Sequence, residues 1–139
     1  MTVLISLRLS AKLENLGGFI GPLSDCAKAQ GFERGKISKI ELAAEEALVN
    51  IFRYAYPEAP GDVEMICKEE AGRLTIEIID SGIPFDVTAM PEPKIADGVH
   101  DREPGGLGVF FIKKVMDEVR YRRENDQNIL TLIIQKDSR

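Results

Sequence analysis

Glu46 and Asn50 stand four residues apart in a stretch of helical periodicity. On a helix turning about 100° per residue they lie about 40° apart and one turn along the axis, so both polar ends can reach one point. An amide oxygen beside a carboxylate suits a hard cation such as Mg²⁺, which keeps several waters and takes few protein ligands beside phosphates. The carboxylate of Glu46 can then orient or deprotonate an attacking hydroxyl. Asp80 ends a strand-like run and is followed by Ser81 and Gly82. A carboxylate there can accept a hydrogen bond from an exocyclic amine, while Gly82, without a Cβ, lets the backbone close on a flat ring. Adenine carries that amine; guanine has a carbonyl in its place. Gly105-Gly106-Leu107-Gly108 opens a further helical stretch. Unhindered backbone N–H groups at a helix start, together with the helix dipole, favour phosphate oxygens.

Each motif has a plainer reading when taken alone. Glu46 and Asn50 also fit an exposed pair on an amphipathic helix, although Leu42, Ala43, Val49 and Tyr54 flank them where a solvated face would carry mostly Lys and Glu. Asp80-Ser-Gly also fits a simple turn, and the glycine cluster also fits a hinge. The cluster is not a P-loop, because no Gly-Lys-Ser/Thr follows. Three such features in one chain point together to a nucleotide.

The elements that must position these residues follow from hydrophobic period. Val3, Ile5, Leu7 and Leu9 alternate with Thr2, Leu4, Ser6 and Arg8 as in a half-buried strand. A first helix is expected from about Glu14 to Gln30, weakened by Gly17, Gly18, Gly21 and Pro22. The second is the clearest, with Ile37, Ile40, Ala44, Ala47, Leu48, Ile51 and Ala55 at three- and four-residue steps and Pro57 beyond its end. Ser38 and Glu41 have capping-box spacing, with a start one turn earlier as the alternative. Strands are expected at about Asp62 to Glu69 and Arg73 to Asp80, joined at Glu70-Ala71-Gly72. Periodicity is lost over residues 85–104, a length that suggests a functional loop, here a lid. A third helix from Gly106 should turn Val109, Ile112, Met116 and Val119 inward, and two strands should flank Asn125-Asp126-Gln127-Asn128, the last with Leu130, Leu132 and Ile134 on one face.

Composition bounds the partners. The chain has 139 residues, 44% hydrophobic and 29% charged, which fits one globular domain over 1–139. A net charge of -5 argues against nucleic acid as a partner. No stretch approaches bilayer length, so a soluble, cytoplasmic protein without a membrane partner is expected. Cys26 and Cys67 have no metal or disulfide spacing and read as reduced and buried, and one histidine, His100, leaves little material for zinc or triad chemistry.

In order along the chain, Glu46-Ala-Leu-Val-Asn50, Asp80-Ser-Gly82-Ile-Pro84 and Gly105-Gly106-Leu107-Gly108 resemble the N, G1 and G2 boxes of the Bergerat-fold ATPases, the superfamily of gyrase and histidine kinases. The likeness is greatest to the small bacterial anti-sigma factors that are serine protein kinases. It extends through Glu45, Tyr54-Ala-Tyr56-Pro57, Phe85-Asp86 and Met116-Asp117-Glu118-Val119. The resemblance implies an α/β (α+β) two-layer sandwich, with helices on one face of a mixed, mainly antiparallel sheet. It implies ATP and Mg²⁺ as ligands, Glu46 as general base, Asn50 as metal ligand, Asp80 and Gly82 at adenine, and Gly105, Gly106, Leu107 and Gly108 at the phosphates. It further implies an anti-sigma-factor antagonist as substrate, a sigma factor as second partner, and a homodimer. Arg53 and Pro84 depart from the wider superfamily, and Arg102 is a candidate for the γ-phosphate or a solvated loop charge. The alternative is a non-catalytic ATP-binding module that sequesters a protein partner. A sensor histidine kinase fits less well, because no histidine-bearing hairpin is present.

Overall fold

Residues 1–89 and 106–136 are described in the computed structural model, the side chains of 106–109 excepted. Strand β1 (Thr2–Ser10) leads through a 3₁₀ turn (Leu13–Asn15) into helices α1 (Leu16–Ala29) and α2 (Arg34–Tyr54). Strands β2 (Asp62–Glu70) and β3 (Arg73–Asp80) follow, then a 3₁₀ turn (Val87–Ala89), helix α3 (Gly106–Val115), and strands β4 (Glu118–Glu124) and β5 (Gln127–Gln135).

The strands form one five-stranded sheet in the order β1-β2-β3-β5-β4. Every pairing among the described residues is antiparallel. The resemblance implies a mixed, mainly antiparallel sheet, and among the described residues the sheet is antiparallel throughout. Two hairpins have two-residue turns whose central residues both take positive φ, Ala71 at 54° with Gly72 at 81° and Asn125 at 53° with Asp126 at 61°. That geometry matches the right-handed twist of the flanking strands.

All three helices share one core with one face of the sheet. Phe19, Leu23, Leu48, Ile51, Met65, Ile76, Ile78, Leu132 and Ile134 are buried in it, each such side chain contributing roughly 1.5–3 kcal/mol of transfer free energy. The expected face of β5, Leu130, Leu132 and Ile134, is the core face. The other face carries ion pairs such as Lys68 with Glu77 at 3.2 Å.

Two details differ from the sequence expectation, and of the two starts open for α2 the earlier is the one taken. The register of β1 on β2 shifts between Val3 and Ile5. Leu4 is the extra residue of this bulge, and Val3, expected on the buried face, is 57% exposed. The capping-box pair Ser38 and Glu41 lies inside α2, which starts at Arg34 after an N-cap, Glu33, that makes no side-chain cap bond. Helix α3 stops at Val115, so Val119 packs on the core from β4 rather than from the helix. Cys67 is buried and Cys26 half-buried, and both are free thiols; burial, with Cys26 beside it, pushes the Cys67 thiol up to about 12.

Candidate nucleotide site

Helix α2 carries the first part of the site. Its buried stripe is apolar except for Asn50, which is 1% exposed among Ala43, Ala47, Leu48 and Ile51. The Asn50 amide donates through Nδ2 to the backbone carbonyl of Glu46 at 2.7 Å. Its Oδ1 is shut off from solvent and has no hydrogen-bond partner among the described residues. A buried acceptor left unmet costs about 1–3 kcal/mol, so it is expected to have a use. A neutral oxygen with two lone pairs and no hydrogen-bond partner is a ligand that Mg²⁺ can take, and Asn50 fits that role. Glu46, one turn earlier, is half-buried.

The second part is the loop after β3. Asp80 is 2% exposed, and its Oδ1 accepts from the Gly82 N–H at 2.9 Å and from Asn128 Nδ2 at 2.8 Å. Among the described residues no hydrogen bond reaches Oδ2. Burial raises the Asp80 carboxyl above the usual range, opposed by the Asn128 and Gly82 hydrogen bonds and by the nearby Arg123 guanidinium. Gly82 has a local reason to be glycine: a Cβ there would collide with the carbonyl oxygen of Ala55, the residue that ends α2. That same carbonyl accepts from the Ile83 N–H at 2.9 Å. The loop after β3 is thus seated on the end of the helix that carries Glu46 and Asn50, at Ala55, five residues after Asn50 and nine after Glu46.

The loop is clamped from the other side by the β4–β5 hairpin. Arg123 Nη1 donates to the Gly82 carbonyl at 2.8 Å, and Asn128 donates to the Ile83 carbonyl at 2.7 Å. From below, the Tyr56 hydroxyl accepts from the Ser81 N–H at 2.8 Å and donates to the Asp62 carbonyl at 2.6 Å. Arg123, Asn128, Tyr121 and Tyr56 were not singled out as site residues in the sequence. The pairing of Asp80 with Asn128 in the ladder is the signal that finds the central one.

The segment expected as a lid from residue 85 is anchored at its start. The Phe85 ring meets that of Tyr54 at a 45° tilt with 5.3 Å between centroids, Val87 is 3% exposed, and Lys113 Nζ of α3 donates to the Thr88 carbonyl at 2.7 Å. The rest of that segment, with His100, Arg102 and Gly105, lies outside the described residues. Gly106, Leu107 and Gly108 form the first turn of α3, which packs along α2. A helix N-terminus presents unpaired N–H groups there. Arg53 is exposed in the last turn of α2, and Pro84 is exposed in the base loop.

Comparison with known proteins bears on the family and the fold. Residues 9–134 match the family described as the histidine kinase-like ATPase domain. The serine-protein kinase RsbW of Bacillus thuringiensis (strain Al Hakam) is 26% identical over 138 residues, covering 96% of this chain and 86% of that protein. The RsbU and RsbW domains of a Mycobacterium tuberculosis protein share the fold with a TM-score of 0.65 at 14% identity, over 94% of this chain and 31% of that one. The SiaB-SiaC complex from Pseudomonas aeruginosa gives a TM-score of 0.60 at 15% identity, over 96% of this chain and 90% of that one.

Proposed function

This chain belongs to the histidine kinase-like ATPase domain family, and from that premise we propose that it is an ATP-dependent serine protein kinase that acts by partner switching. In this reading it phosphorylates an anti-sigma-factor antagonist on serine and otherwise holds a sigma factor inactive, as a homodimer in the cytoplasm. The observation that carries the reading is the unpartnered Oδ1 of Asn50, buried one turn from Glu46 on the helix against which the Asp80 loop is seated. The similarity to a protein named serine-protein kinase RsbW supports the choice of substrate class.

The residues divide the work. Asp80 accepts the adenine amine, and the amides of Gly106, Leu107 and Gly108, with Gly105 before them, receive phosphate oxygens. Asn50 would hold Mg²⁺ through Oδ1, and the ion when bound supplies charge neutralisation at the phosphates. Glu46 accepts the proton of the incoming serine hydroxyl as the oxygen attacks the γ-phosphoryl group, and the bond to the β–γ bridging oxygen breaks to release ADP. Phosphoryl transfer needs little covalent help from the protein, so positioning and charge carry most of the acceleration.

The test is transfer of labelled phosphate from ATP to candidate antagonists by the purified chain. Glu46→Gln is expected to keep ATP affinity and lose transfer by about 10²–10⁴-fold, the usual worth of a general base. Transfer at the wild-type rate by Glu46→Gln overturns that role. ATP binding with no transfer to any serine favours the non-catalytic module.

A further inference from the structure

Asn128 begins the buried part of β5, pairs with Asp80 in the ladder and is 3% exposed. Its amide is fully used. Nδ2 donates to Asp80 Oδ1 at 2.8 Å and to the Ile83 carbonyl at 2.7 Å, while Oδ1 accepts from the Tyr121 hydroxyl at 2.6 Å and the Phe85 N–H at 3.2 Å. Two acceptors on one side and two donors on the other allow a single orientation, because a turned amide would set N–H against N–H and oxygen against oxygen. A side chain held at four points in a buried site cannot swing.

Two consequences meet at this residue. Asp80 Oδ1 is committed to Asn128 and to the Gly82 N–H, so the direction of Oδ2 is fixed. Ile83 and Phe85, in the loop after Asp80, are held by the same amide. We infer that Asn128, itself set by Tyr121, is the positioning residue of the base site: it aims the second oxygen of Asp80 at the purine amine. The inference rests on the reading of Asp80 as the base acceptor given above.

The test compares ATP with purine riboside triphosphate, which lacks only the exocyclic amine, by equilibrium binding to the full chain. Wild type is expected to prefer ATP by about tenfold or more, the worth of a hydrogen bond to a charged acceptor. Tyr121→Phe keeps the ring and removes one donor to Asn128, and should cut that preference by about threefold. Asn128→Ala should bring it near unity while both nucleotides still bind. A merely structural Asn128 would lower thermal stability and leave the ratio of the folded protein unchanged, so an unchanged ratio in both variants overturns the inference. If Asn128→Ala does not fold, Tyr121→Phe decides alone. A wild type that makes no distinction between the nucleotides overturns instead the assignment of Asp80, and the inference falls with it.

Discussion

Asp80 and Asn128 face one another across the β3–β5 ladder, with the carboxylate accepting from the amide at 2.8 Å. The only acid buried among the described residues is therefore held chiefly by neutral donors, with one guanidinium near enough to matter. Such an arrangement keeps a carboxylate available as an acceptor without neutralising it in a tight ion pair, which would occupy the oxygens a base amine needs. It also leaves the desolvation of the charge largely uncompensated.

That cost predicts a separation of stability from binding in Asp80→Asn. The folded carboxyl titrates above the unfolded one, so between the two the folded chain holds a proton that the unfolded chain has released. The Asp80 contribution to stability is therefore greatest at acid pH, falls as pH rises through that interval, and stays low above it. Asparagine can still accept from Gly82 and Asn128 and carries no such loss. Asp80→Asn should raise the thermal midpoint near neutral pH, with the gain shrinking toward about pH 4, while ATP affinity falls by about tenfold or more. A variant less stable than wild type at neutral pH would contradict the burial argument.

Asn50→Ala should separate the cation from the nucleotide. Removing Oδ1 abolishes a buried acceptor that has no partner in the described residues, so the loss of stability without ligand should stay near about 1 kcal/mol. Wild type should be stabilised more by ATP with Mg²⁺ than by ATP alone, because a ligand that binds only the folded form raises its stability by about 2.7 kcal/mol at one hundred times its Kd. In Asn50→Ala the two thermal shifts should coincide. A persisting Mg²⁺ increment would move the metal ligand elsewhere.

Much of this architecture is legible in the residues, and the failures have physical causes. The α2 stripe from Ile40 to Ile51 is read from its period because a long helix repeats its signal many times. The β2–β3 hairpin is read from Glu70-Ala71-Gly72, since the turn chemistry is local, although Glu70 itself still pairs with Arg73 in the ladder. The bulge at Leu4 leaves no mark in a run where both alternating sets contain leucine. Val119 continues the spacing of α3, but the same residue also begins the alternation of β4, and short apolar runs do not tell the two periods apart. Glu46, Asn50 and Asp80 carry recognisable types in a recognisable order. Asn128 sits in Asn-Asp-Gln-Asn, which reads as turn material, and its role depends on a register that joins it to a residue 48 positions away.

Gly82→Ala tests whether the seating of the base loop on α2 is steric. The added Cβ meets the Ala55 carbonyl, a backbone atom fixed at the helix end that also receives the Ile83 N–H. Neither side can yield without breaking that bond, so a loss of about 1–3 kcal/mol is expected, as for overpacking in a filled core. Urea unfolding of the ligand-free chain gives the value. A change under about 0.5 kcal/mol, the range of an ordinary surface substitution, would show that the loop moves freely away from α2.

Tyr56→Phe isolates the tether beneath the same loop. The hydroxyl joins the Ser81 N–H to the Asp62 carbonyl, and burial raises its titration above the usual phenol range, with the Ser81 hydrogen bond opposing that shift and the charges of Asp80 and Asp62 adding to it. The ring packs against the core and survives the substitution. Only the bridge is lost, for about 1 kcal/mol of stability. The Ser81 N–H lies at the exposed surface, where water can replace the lost acceptor. Nucleotide affinity should therefore change by less than about threefold, within the range of one neutral hydrogen bond. Calorimetric titration with ATP checks this, and a tenfold loss would mean that the tether, as well as the Asn128 clamp, holds Asp80 in its binding position.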